Sequence, residues 1–361
     1  LAVVTQLRTG QADPELRWLG GRRGLEADIV PGAGVPLERL WLRSLRTVDA
    51  SMNTVLDPLR LAASVPQALW KLLRWRPDVV YTTGGYVAIP VLLAAAILRI
   101  PALIWEGNAL PGRSVRASAR LATLRTVTYR ATAGRLPPPV LVTGTPIRDL
   151  GDMDPASARQ QLGLPIELPC LLVFGGSQEV RRLNEAVSAS VADLVERCSV
   201  IHITGAGGLA AAEADRDALP ADRRARYHPV DFLPAGMATA LAAADLVVGR
   251  AGSSTLAETA AAGLPMIVVP YPHAAAHQRA NATEMVEAGA ARLVADEDLD
   301  GDTLRDAAEL LDDDRLAPMA AASRGLARPG AASAAVELLR RLVLREELPS
   351  QAEVDAMTVA A

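Results

Sequence analysis

The sequence predicts an α/β protein of two domains, each a parallel sheet covered by helices on both faces. Three observations carry this. Short β-rich runs alternate with longer alanine- and leucine-rich helical runs. The short runs are apolar throughout rather than alternating, as strands buried on both faces are. The alternation also occurs twice, on either side of GTPIRDLGDMDPASARQQLGLP (144–165), a stretch rich in Gly, Pro and Asp. The boundaries that follow are 1–148 for the first domain, 149–165 for a linker, 166–335 for the second domain and 336–361 for a closing helix and tail.

In the first half the predicted strands are LRWLG (16–20), PLERLWL (36–42), DVVYTT (78–83), PALIWE (101–106), TVTYR (126–130) and PVLVTG (139–144). Helices are expected near 24–31, 57–75, 87–98 and 113–122. In the second half the strands are CLLVFGG (170–176), VIHITG (200–205), RYHPVDF (226–232), ADLVVGR (244–250), PMIVVP (265–270) and ARLV (291–294). Helices are expected at about 180–195, 235–243, 254–262, 277–288 and 301–312. In folds of this kind ligands bind beyond the carboxyl ends of the strands, so the polar turns at those ends are the candidates for function.

Composition narrows the classes. With 361 residues, 50% hydrophobic and 22% charged, the chain suits two folded domains rather than global disorder. A net charge of −4 gives no support to nucleic-acid binding, which needs a basic surface. Cys170 and Cys198 are too few for a disulfide scaffold and lack metal-site spacing. No stretch reaches the roughly 18 to 20 apolar residues of a membrane span. IPVLLAAAILRIP (89–101), bounded by prolines, reads as a buried helix, and no signal-peptide pattern is present. The opening LAVVTQLRTG reads as the inside of a helix, as though a first strand preceded it.

Seven turns concentrate the chemistry. FGGSQEVRRLNEAV (174–187) follows a strand and opens a helix, placing Ser177 where free N–H groups suit a diphosphate or, equally, a simple N-cap. It has no Walker lysine and no dinucleotide spacing. ITGAGG (203–208) reads as a tight loop, with His202 as a packed residue. GRAGSSTLAE (249–258) offers a second nest at Gly252, Ser253 and Ser254. Its Glu258 can accept two ribose hydroxyls or cap its own helix. YPHAAAHQRANA (271–282) brings Gln278 and Asn281, donors and acceptors suited to sugar hydroxyls and an acetamido group, or to an exposed helix start. His273 and His277, four apart, lack the acidic residue of a zinc-protease helix. In the first half, Gly84 and Gly85 follow one strand, and Glu106 and Asn108 of WEGNALPG follow the next. Thr143, Thr145 and Arg148 close the half, and Arg148 either touches a nucleotide or pairs with Asp149 or Asp152.

Trp41, Trp70 and Trp75 fall among Arg43, Arg46, Lys71, Arg74 and Arg76. Such a surface can rest on an anionic bilayer. The alternative is core tryptophans with solvent-facing arginines.

Taken in order, RWLGGRRGLEADIVPGAGVPL (17–37), DVVYTTGGYVAIPVLLAA (78–95), WEGNALPG, VTGTPIR, LLVFGGSQEVRRLN and RAGSSTLAETAAAGLPMIVVPYPHAAAHQRANA resemble the MurG family of bacterial glycosyltransferases, over roughly residues 1–335. The resemblance implies a GT-B fold, two Rossmann-like domains facing a cleft. It implies inverting transfer of N-acetylglucosamine from UDP-N-acetylglucosamine to the 4-hydroxyl of lipid I, giving lipid II for the cell wall. Ser177 would meet the diphosphate, with Leu233 and Met237 near the uracil, while the Ser253 nest would serve phosphate or sugar. Glu258 would bind the ribose, while Gln278 and Asn281 face the sugar. Glu106 and Asn108, the catalytic candidates, would lie near the phosphates or the reacting hydroxyl of the acceptor, undecaprenyl-pyrophosphoryl-muramoyl-pentapeptide. No cofactor or catalytic metal is implied, and the partners are the two substrates and the inner leaflet of the plasma membrane. The protein would then lie peripherally on its cytoplasmic side.

Departures from the family pattern cluster at the same turns. Trp105-Glu106-Gly107-Asn108 replaces His-Glu-Gln-Asn, Gly144-Thr145-Pro146 replaces Gly-Asn-Pro, and Glu179-Val180 replaces Gly-Ala. The family's first strand and histidine-bearing glycine loop would precede residue 1. Two alternatives stand beside the main reading: a related transferase with another lipid acceptor such as diacylglycerol, and a catalytically impaired UDP-sugar-binding protein.

Overall fold

The apolar runs become parallel strands, and the chain divides into two units. The computed structural model describes residues 1–10, 14–21, 26–42, 52–175, 180–205, 207–233, 236–272, 275–312 and 314–359, with the backbone alone at 28, 52–58 and 275. One unit holds Leu1–Arg148 with Pro329–Ala361, the other Asp149–Arg328.

The first unit contains α1 (Ala2–Thr9), β1 (Trp18–Gly20), α2 (Glu26–Gly32), β2 (Leu37–Arg39), α3 (Met52–Trp75), β3 (Val80–Thr82), α4 (Ala88–Leu98), β4 (Ala102–Glu106), α5 (Arg113–Ser118), β5 (Leu124–Val127), α6 (Arg130–Ala133) and β6 (Val140–Val142). Strands β3-β4-β5-β6 form one parallel sheet, and β1-β2 a separate parallel pair. The strand expected at 126–130 begins earlier, because Leu124 and Arg125 pair with Leu103 and Ile104, and Tyr129 already caps α6.

The second unit contains α7 (Pro155–Gln161), β7 (Cys170–Phe174), α8 (Arg181–Arg197), β8 (Ser199–Ile203), α9 (Leu209–Ala218), β9 (Tyr227–Val230), α10 (Met237–Ala243), β10 (Leu246–Gly249), α11 (Ser253–Ala261), β11 (Met266–Val268), α12 (Ala275–Glu287), β12 (Ala291–Leu293), α13 (Gly301–Leu310) and α14 (Leu316–Leu326). Its six strands lie in the order β12-β11-β10-β7-β8-β9, all parallel. This is the doubly wound order, with the chain leaving β7 toward one edge and returning to β10 to build the other. Alternate residues of each strand feed two cores. Leu171, Val173, Val200, Leu246 and Val248 meet α8 and α13, whereas Leu172, Phe174, Ile201, Val247 and Met266 meet α10, α11 and α12. Continuous apolar strands arise because both faces are buried.

Two segments differ from expectation. Within the expected linker, α7 packs into the second unit: Ala158 is buried, and the Arg159 guanidinium binds the Ala243 carbonyl at 3.0 Å and the Asp245 carboxylate at 2.5 Å. The expected tail is α15 (Ala331–Leu344) and α16 (Gln351–Val359), and both join the first unit. The reason is the apolar stripe Ala335, Leu338, Leu339 and Leu342. With Val3 of α1 and Val354 of α16 it covers Leu103, Leu124 and Leu141 on one face of the first sheet. The other face carries α3, α4 and α5, so IPVLLAAAILRIP is indeed a buried helix. Helices α9 and α14 were not anticipated.

Candidate functional site

In the second unit the candidate residues gather where the sheet reverses direction. β7 and β10 are neighbours, with Phe174 opposite Gly249. A Cβ on Gly249 would stand 2.7 Å from the Phe174 carbonyl oxygen, so the two strands end in close backbone contact that only glycine allows. Their crossovers then diverge into α8 and α11. Ligands of doubly wound sheets bind at this kind of switch point.

The turn from β10 into α11 is held from outside. Gln278 Oε1 accepts the Ala251 N–H at 3.1 Å and the Tyr271 N–H at 2.9 Å. Asn281, 1% exposed, donates Nδ2 to the Ala251 carbonyl at 3.2 Å. Both polar groups of one residue, Ala251, are thus gripped by α12. These bonds direct Asn281 into the protein, whereas Gln278 keeps its amide nitrogen unbonded among the described residues. Below the turn, Arg250 is buried, pairs with Asp296 and lies 5.5 Å over the Tyr271 ring. Asp296 also takes Arg182 of α8 at 3.2 Å, which joins the starts of both crossovers.

α11 itself opens on Gly252 (φ −70°, ψ 142°), which has no side chain to cap it. Its first N–H groups therefore have no intrahelical acceptor, the ordinary basis of anion binding. Ser253 is half-buried and Ser254 exposed. Glu258 lies half-buried on the second turn. Leu233 is half-buried, and a Cβ on Gly236 would meet its Cδ2 at 3.1 Å. Beside it, Phe232 is 60% exposed, an aromatic face that the sequence reading passed over. Its signal was rarity, since the chain has only two phenylalanines. Ser177 and His273 lie outside the described residues.

In the first unit Glu106 ends β4 and is 4% exposed. Its Oε1 accepts the Asn108 N–H at 2.9 Å and Asn108 Nδ2 at 3.0 Å, and its Oε2 accepts the Gly112 N–H at 2.8 Å. Gly112 is the residue from which α5 starts. The carboxylate therefore organises loop 107–112, with both oxygens engaged by donors of its own loop. The Asn108 carbonyl also takes a hydroxyl bond from Thr132 at 3.1 Å. Gly84, at φ +81°, carries the β3 turn against Val115 of α5, where a Cβ would approach to 2.6 Å. Tyr86 crowds Gly21 in the same way, with its hydroxyl 2.4 Å from a would-be Cβ. Thr128 and Thr145 share a hydroxyl contact of 2.9 Å, and Trp105 Nε1 donates to the Gly144 carbonyl at 3.0 Å. Arg148 is exposed and is the last residue of the first unit's opening segment.

The tryptophan-arginine surface separates into two parts. Trp41 and Trp70 are 56% and 61% exposed, and along α3 Leu59 and Leu73 extend the same apolar stripe. Arg74 and Arg76 are exposed beside it. Trp75 instead lies under Arg17 and Lys71, at 5.4 and 5.6 Å, and Lys71 pairs with Glu38. Arg43 and Arg46 lie outside the described residues. Among the described residues, no helix is long and apolar enough to cross a membrane.

Comparison with known proteins agrees with this geometry. Residues 1–125 match the glycosyltransferase family 28 N-terminal domain, and residues 170–338 the glycosyltransferase family 28 C-terminal domain. The chain is 38% identical to the UDP-N-acetylglucosamine–N-acetylmuramyl-(pentapeptide) pyrophosphoryl-undecaprenol N-acetylglucosamine transferase of Moorella thermoacetica, covering 95% of each chain. It is 39% identical to the transferase of the same name from a Nocardioides species, over 98% of this chain and 95% of that one. The crystal structure of Acinetobacter baumannii MurG superposes with a TM-score of 0.74, at 28% identity and 94% coverage of both chains. The doubly wound second unit, its glycine-bounded switch point and these matches across both halves establish that the chain belongs to glycosyltransferase family 28, with the GT-B fold of the MurG transferases.

Proposed function

We propose that the protein transfers N-acetylglucosamine from UDP-N-acetylglucosamine to the 4-hydroxyl of lipid I, forming lipid II for peptidoglycan. The observation that carries this is identity of more than a third to transferases of that name across nearly the full length of both chains. In this reading the acceptor hydroxyl attacks C1 of the donor sugar in one inverting displacement, and UDP leaves. Charge developing on the diphosphate meets the N–H groups that open α8 and α11 and the hydroxyls of Ser177 and Ser253, and no metal is required. Phe232, Leu233 and Met237 flank the uracil, and Glu258 accepts the ribose hydroxyls. Gln278 turns its unbonded amide to the sugar, whereas Asn281 holds the turn that Gln278 shares. Glu106 shapes the acceptor loop, and Asn108 and Arg148 lie at the acceptor and nucleotide ends. The exposed Trp41, Leu59, Trp70 and Leu73 with Arg74 and Arg76 favour a peripheral seat on the anionic inner leaflet, on the cytoplasmic side.

The test is transfer of labelled N-acetylglucosamine from its UDP donor to lipid I, run beside UDP-glucose with diacylglycerol and repeated with EDTA. Lipid II formation that EDTA leaves unchanged is expected. Transfer only to diacylglycerol would assign the related-acceptor alternative, and no transfer with either acceptor would overturn the reading. Glu258→Ala should weaken UDP binding by about 1–3 kcal/mol through lost charged hydrogen bonds.

A further inference from the structure

A polar residue interrupts the aliphatic strand β8, SVIHI. His202 is 2% exposed, with Nδ1 2.8 Å from the Tyr227 hydroxyl and Nε2 3.0 Å from Asn184 Oδ1. Asn184 Nδ2 donates in turn to the Thr204 carbonyl at 3.0 Å. An amide oxygen only accepts, so Nε2 carries the ring hydrogen and Nδ1 accepts from Tyr227. Every polar atom of the two side chains that faces β8 is satisfied. An aliphatic residue would fill this strand without such a network, so the network has a consequence that packing alone does not need.

That consequence is where α8 begins. Asn184 stands on the first turn of α8, whose N-cap, Val180, makes no side-chain capping bond. Two glycines of ITGAGG make room for this turn. A Cβ on Gly205 would come within 2.9 Å of Val180 Cγ2, and one on Gly208 within 2.5 Å of Asn184 Nδ2. In the sheet, His202 lies opposite Val173, one residue before the end of β7. Asn184 therefore ties the start of α8 to the end of β8, beside β7.

We infer that Asn184, oriented by His202, is a positioning residue for the donor diphosphate, holding the first turn of α8 at the ends of β7 and β8 so that its N–H groups face the phosphates. This rests on the donor reading given above. Removing the tether leaves the helix intact and lets its first turn drift, which costs phosphate contacts and spares uracil and ribose contacts.

The experiment is calorimetric titration of the full chain with UDP and with uridine 5′-monophosphate, at a temperature where each variant is folded by circular dichroism. Asn184→Ala and His202→Phe should each weaken UDP about tenfold, with a loss for the monophosphate at least threefold smaller. His202→Gln, which can still donate to Asn184, should recover most of the affinity. If Asn184→Ala does not fold, His202→Phe, which fills the same space, decides alone. UDP affinity within twofold of wild type in the folded variants would overturn the inference while leaving the donor reading standing. So would equal losses for UDP and the monophosphate. Failure of the wild-type chain to bind UDP would overturn both.

Discussion

Gln351 pairs with Val142 through both of its amide groups. Its Oε1 accepts the Val142 N–H at 2.8 Å, and its Nε2 donates to the Val142 carbonyl at 2.9 Å. Val142 lies on β6, the edge of the four-stranded sheet. The side chain thus supplies the two bonds that a neighbouring strand would make, and an edge so occupied is closed to other strands. Asp355 fixes the amide from behind at 2.9 Å.

Gln351→Leu should destabilise the protein by about 1–3 kcal/mol, because Val142 loses both partners while α16 still covers it. Denaturant unfolding reads the stability, and hydrogen exchange at the Val142 amide reads the site. Unchanged exchange at that amide would contradict the role.

His202 gives a pH signature. Burial lowers its pKa from 6.5 to about 4, so the unfolded chain takes up the proton first on acidification. Stability is then fully present above the unfolded value and falls as the pH drops from about 6.5 to about 4, by up to about 3 kcal/mol. His202→Phe should flatten that window, whatever its effect at neutral pH. Parallel unfolding free energies for the two proteins between these pH values would disprove it.

Glu106→Gln keeps the shape of the side chain but turns one acceptor oxygen into a donor facing an N–H. A loss of about 1–3 kcal/mol in the closure of loop 107–112 is expected. Faster exchange at the Asn108 and Gly112 amides, with transfer reduced and UDP affinity unaltered, is the predicted outcome. A drop in UDP affinity would place Glu106 in the donor site instead.

Gly249→Ala should cost at least about 1–3 kcal/mol by overpacking, since its Cβ meets backbone that cannot rotate away. The same change should weaken UDP binding, because it separates β7 from β10 where both crossovers start. Full UDP affinity in a folded Gly249→Ala protein would remove the switch point from the donor site.

Much of this architecture was legible in the sequence. Parallel strands such as CLLVF announce themselves because both faces are buried, and each ends at a glycine or polar turn. α9, LAAAEADRDA, is hard to read because its alanine-rich, acidic sequence gives weak periodicity, with Ala212 its only buried residue. Side-chain direction was beyond reach. Asn281 looked like a sugar ligand by its type, and only the fold turns it onto Ala251. Trp75 looked like part of one basic surface, yet Arg17, distant in sequence, covers its ring. The destination of α15 was hidden for a related reason. An apolar helical stripe declares that it will be covered but not by which sheet.

That destination bears on the order in which the protein takes shape during synthesis. Leu103, Leu124 and Leu141 leave the ribosome before the second unit, but the helices that shield them, α15 and α16, follow it. The second unit, contiguous from Asp149 to Arg328, has all its parts available before the first. A nascent chain paused near residue 328 would therefore carry a finished second unit after an amino-terminal sheet still open on one face. Such an intermediate is a natural client for chaperones that bind apolar surface.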